Sequence, residues 1–106
     1  MPVMLLRLLQ DEDAAPPFGT FMEAIPHWGF IIIHSTLILV GLALWRRARG
    51  VGNGLAASGF LLFVVAELSY ISYHAGVTHF LLAHTFAEVC DALAFLSVGL
   101  SLAKRA

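Results

Sequence analysis

Apolar residues fall in three long, unbroken runs, each closed by residues that stop a helix or face water. The first run follows Pro26 and ends at the Arg46-Arg47 pair. The second follows the Gly50-Val51-Gly52-Asn53-Gly54 turn, a cluster of helix breakers, and ends near His74. The third leaves a short His74–His79 connection and ends at Lys104-Arg105. None alternates in the two-residue rhythm of a barrel strand, so the runs predict helices. About nineteen residues at 1.5 Å rise cover roughly 28 Å, close to one hydrocarbon thickness.

The expected fold class is therefore an all-α integral membrane protein. It has three transmembrane helices, at about residues 27–46, 55–74 and 79–103, packed as a bundle in a domain covering 26–106. The short second connection makes the last two spans an antiparallel hairpin. Residues 1–25 form an N-terminal segment of a different kind. Met1 to Gln10 is apolar with Arg7 among its leucines, too short to span and without a small-residue cleavage site. It reads as a short amphipathic helix lying at the interface. An acidic linker, Asp11 to Pro17, carries the Pro16-Pro17 pair and breaks it.

Composition agrees: 59% of the 106 residues are hydrophobic and 12% charged. A soluble domain this small would leave much of that surface in water. A net charge of −1 and the lack of a basic patch argue against a nucleic-acid partner. The single cysteine, Cys90, excludes an intramolecular disulfide and reads as a small buried hydrophobe.

Charge sets the expected orientation. Arg46, Arg47 and Arg49 lie between spans one and two, and Lys104 and Arg105 follow span three. The opposite ends carry acidic residues or histidines. The positive-inside rule places the N-terminus outside and the C-terminus in the cytoplasm, as in a prokaryotic-type inner membrane. Trp28, Trp45, Tyr70 and Tyr73 read as interfacial anchors.

Each span also carries a stripe of ionisable residues on one helical face. These are His27 and His34 in the first, Glu67, Tyr70 and His74 in the second, and His84, Glu88 and Asp91 in the third. Such groups cost roughly 2.5–3.5 kcal/mol each in a span, so they mark a functional site by default. Counted from the outer ends, His34, Glu67, His84 and Glu88 lie about 8–14 Å deep and share one layer. All five histidines fall on the outer side.

Three readings follow. The leading one is a metal site of His34, Glu67, His84 and Glu88, with Tyr70, His74 and Asp91 orienting the ligands from behind. Imidazole and carboxylate suit Zn, Fe or Mn, and imidazole also suits Cu. Such a chain would be a metal-binding subunit of a larger redox or oxygenase-type membrane complex. The second is a structural accessory subunit of a respiratory or photosynthetic complex, needing no cofactor, with these residues as interhelical glue. The third is a haem b anchor, with His34 and His84 as axial ligands, or a small oligomeric ion or proton transporter using Glu67, Glu88 and Asp91. Span count and histidine use are similar to those of three-span membrane anchors of respiratory enzymes such as succinate dehydrogenase. No catalytic residues are read from the sequence. There is no phosphate loop, and Ser69, Ser72 and Ser97 are expected to bond back to helix carbonyls. Beyond the bilayer, the expected partners are other membrane subunits or further copies of the chain. Gly29, Gly41, Gly59, Gly99 and the Ala83-x-x-x-Ala87 pair are expected where helices approach closely.

Overall fold

Glycine turns divide the chain into three helices. The computed structural model describes residues 20–105; the expected Met1–Gln10 helix lies outside them. A short 3-10 turn, Thr20–Ala24, precedes α1 (His27–Gly50), α2 (Gly54–His74) and α3 (Phe80–Arg105). All three helices are long and apolar enough to cross a membrane. The first outruns its expected end because arginine is a good helix former and Arg46–Arg49 continue it.

Both turns close in the same way. After α1, the amide of Gly52 donates to Arg49 O and that of Asn53 to Ala48 O. After α2, Gly76 donates to Tyr73 O and Val77 to Ser72 O. These are Schellman pairs, and each needs a left-handed residue, supplied by Gly52 (φ 76°) and Gly76 (φ 80°). Asn53 then starts α2, its side-chain oxygen accepting from the Ala56 amide. Its Nδ2 donates to Ser101 Oγ at 3.0 Å, tying the first turn to the end of α3.

Small residues set the helix spacing. Ala83, Ala87, Cys90, Ala94 and Ser101 form one buried stripe on α3. They face α2, where Ala66 is fully covered and Gly59 lies against Ala94 O and Val98. Gly41 of α1 sits under Phe63 and Val64 of α2 in the same manner. Backbones approach closely at such positions and van der Waals contact holds the helices. Two of the expected glycines do otherwise. Gly29 meets only Ile25 and Pro26 just before it, and Gly99 faces open space. Ser69 also departs from expectation: its hydroxyl donates across the α2–α3 seam to Ala83 O at 2.9 Å.

The arrangement is a single layer. α2 packs against both neighbours, but no Cα of α1 comes within 8 Å of α3. The three-helix bundle is thus an open array with a trough between α1 and α3, floored by α2. Large apolar side chains cover much of the remaining surface; Phe95 is 81% exposed and Leu39 68%.

Candidate functional site

The three ionisable stripes meet at the turn-proximal end of the trough, where α1 begins and α2 ends. One section there, of about 1020 Å³, is lined by His34, Glu67, Tyr70, His84, Glu88 and Asp91, among others. His34 Nδ1 and a carboxylate oxygen of Glu67 form a hydrogen bond between α1 and α2. Glu67 is 4% exposed, so this bond is the one that satisfies it. The Tyr70 hydroxyl donates to Glu88 Oε1 at 3.2 Å, joining α2 to α3.

Tyr70 is the centre of the group. Its ring stacks on His34 (centroids 5.0 Å apart) and meets His84 edge-on at 4.9 Å. It therefore occupies the space between the two imidazoles. Tyr70 lines the trough, as its place on the ionisable stripe predicts, and Tyr73 lines it too. Phe80 stacks on His84 at 4.0 Å and Phe30 on His74 at 4.6 Å. Neither phenylalanine carried a signal in the sequence, since an aromatic residue in an apolar span reads as lipid-facing.

At the mouth, His27 and His74 approach Nδ1 to Nδ1 at 2.9 Å, which requires one ring to donate and the other to accept. His79 stands apart and exposed. His84 Nε2 is buried and has no hydrogen-bond partner among the described residues. Asp91 is half-buried, also without a partner among them.

Of the four candidate metal ligands, only His34 and Glu67 bond to each other. Among the described residues no group of three His, Cys, Asp or Glu side chains stands close enough to hold a metal ion. His34 reaches Glu67, while Glu88 turns to Tyr70 and His84 packs against rings. Beyond Asp91 the trough becomes apolar, between Val40, Phe60, Phe63 and Phe95. The polar file therefore stops about half-way along the helices.

No protein-family model, curated protein or solved structure matches this chain. Its chemistry has to be read from the trough itself.

Proposed function

We propose that the chain is a small structural subunit of a larger membrane assembly, with its ionisable residues acting as interhelical glue. The observation that carries this reading is the separation of α1 from α3, no Cα atoms of which come within 8 Å of each other. That separation leaves Glu88 exposed and Asp91 half-covered in the trough wall. In a bilayer these carboxylates would meet lipid, at a cost of roughly 2.5–3.5 kcal/mol each, unless protein covers them. The His34–Glu67 and Tyr70–Glu88 hydrogen bonds support glue over coordination, because each joins two helices across a seam. Insertion with the His27 end outside and Arg46–Arg49 in the cytoplasm follows the charge distribution.

A second reading rests on a different observation. The buried Nε2 of His84, unpartnered among the described residues, is a ligand position that favours Zn, Fe, Cu, Mn or haem b in the trough. In that case Tyr70 would have to leave the gap between His34 and His84 to admit a porphyrin.

Both are tested on protein extracted from its own membrane in mild detergent. The assembly reading expects a particle heavier than one chain, no stoichiometric metal and no Soret band. A photo-reactive residue at position 88 should cross-link to another membrane helix. Recovery as a lone, uncross-linked chain would overturn it. Stoichiometric metal or haem would establish the second reading instead.

A further inference from the structure

We infer that the trough receives one transmembrane helix of another protein, and that this helix presents a lysine or arginine to Glu88 and Asp91. The inference rests on the assembly reading and names the chemistry of the partner.

Shape is the first argument. The polar section shares Asp91 with an apolar section of about 230 Å³. That section shares Leu44, Phe60 and Val98 with a third, of about 220 Å³, which reaches Arg47 and Ser101. The trough therefore follows α2 from end to end, and α2 is 21 residues long, or about 31 Å. One bilayer-spanning helix has that length. Seated between α1 and α3, it would complete a four-helix bundle over the α2 floor.

Charge is the second. Four carboxylates line the trough, Glu23 before the start of α1 and Glu67, Glu88 and Asp91 within the helices, and only that of Glu67 is held by an imidazole. Glu88 has one oxygen on Tyr70, and Asp91 has no partner among the described residues. The described cations Arg46, Arg47, Arg49 and Lys104 all lie at the opposite end of the helices. What the trough lacks is positive charge at the level of residues 88–91, about 12–17 Å along α3 from Phe80. An apolar helix with one cation at that level supplies it, since ionisable groups within spans pair with one another.

The same facts disfavour other occupants. A phospholipid brings a negative phosphate, and its headgroup would have to sink to that level. A second copy in the same orientation brings more carboxylates to this layer, while its described arginines stay at the other end. A bare metal ion finds no three-ligand group among the described residues.

The test uses the full chain in phosphatidylcholine vesicles with labelled host helices of about 23 leucine and alanine residues. One host carries a single lysine at the level of residues 88–91, a second carries leucine there and a third glutamate. Energy transfer between chain and host reports association. The lysine host should bind about tenfold more tightly than the leucine host, the ratio that ~1.4 kcal/mol produces and within the range for polar contacts between membrane peptides. The glutamate host should bind no better than leucine. In the double variant Glu88→Gln, Asp91→Asn the lysine preference should vanish. It should persist in Ser58→Ala, with circular dichroism confirming helicity in every variant. Equal binding of lysine and leucine hosts, or a preference that survives in the double variant, would overturn the inference. So would exclusion of all hosts together with cross-linking of position 88 to the chain's own residues 1–19, which include Arg7. If the natural protein is still recovered as a larger particle after such a result, the assembly reading stands and the cationic partner alone fails. Recovery as a single chain removes the assembly reading whatever the host helices do.

Discussion

Tyr70 donates to Glu88 across the α2–α3 seam while its ring lies flat against His34 of α1. One side chain on the middle helix thus touches both outer helices, whose own Cα atoms stay more than 8 Å apart. The polar layer is held together through this residue.

His34→Ala should destabilise the protein by about 2 kcal/mol, because it leaves the buried Glu67 carboxylate without its partner. Glu67→Gln should cost less, under ~1 kcal/mol, since an amide still exchanges a hydrogen bond with the imidazole. Denaturant titrations in detergent measure both. If Glu67→Gln is the costlier of the two, the pair is not held together in this way.

Gly59 should be the less replaceable of the two packed glycines. A Cβ there would lie 2.9 Å from the Ala94 carbonyl oxygen, a backbone atom that cannot swing aside. At Gly41 the nearest atoms belong to the side chains of Val64 and Phe63. Gly59→Ala is expected to cost about 1–3 kcal/mol and Gly41→Ala at most ~1 kcal/mol. Thermal unfolding in the same detergent ranks them, and a reversed order would contradict the close α2–α3 approach.

At the first turn, Asn53→Ala removes a helix cap and the bond to Ser101 together, at about 1–2 kcal/mol. Ser101→Ala keeps the cap and should cost less. Asn53→Ser should recover the cap alone and fall between them. Three equal losses would show that the cap and the tie to α3 are not separable.

Orientation is checked by cysteine labelling from each side of sealed vesicles in a Cys90→Ala background. Arg49→Cys should label from the cytoplasmic side and Ala75→Cys from the outside. Ala75 is the better probe of the second turn because its neighbour Gly76 has φ 80°, which a cysteine would strain. Labelling of both from one side would remove the three-crossing topology.

The helices and turns could be read from sequence because their causes are local. Apolar runs of spanning length, the Gly52 and Gly76 breaks and the flanking arginines each act within a few residues. The stripes were legible too, since helical spacing alone puts His84, Glu88 and Asp91 on one face. Which stripe meets which was not legible. Periodicity assigns a residue to a face but does not say that α2 separates α1 from α3, and so His84 and His34 looked like direct partners. The same limit hid Ser69, whose hydroxyl crosses the seam, and Phe30 and Phe80, which stack on imidazoles from within the trough. Gly29 and Gly99 look like Gly41 and Gly59 in sequence and differ only in what stands opposite.

The single-layer arrangement also divides mutational tolerance unevenly among the three spans. α2 carries both seams, with 33% of its most apolar stretch buried against 6% for α1. A change on α1 mostly trades one exposed apolar side chain for another, so many apolar residues serve equally well there. On α2 most directions around the helix are already claimed by a neighbour or by the trough. Its sequence should therefore drift slowest among descendants of this chain.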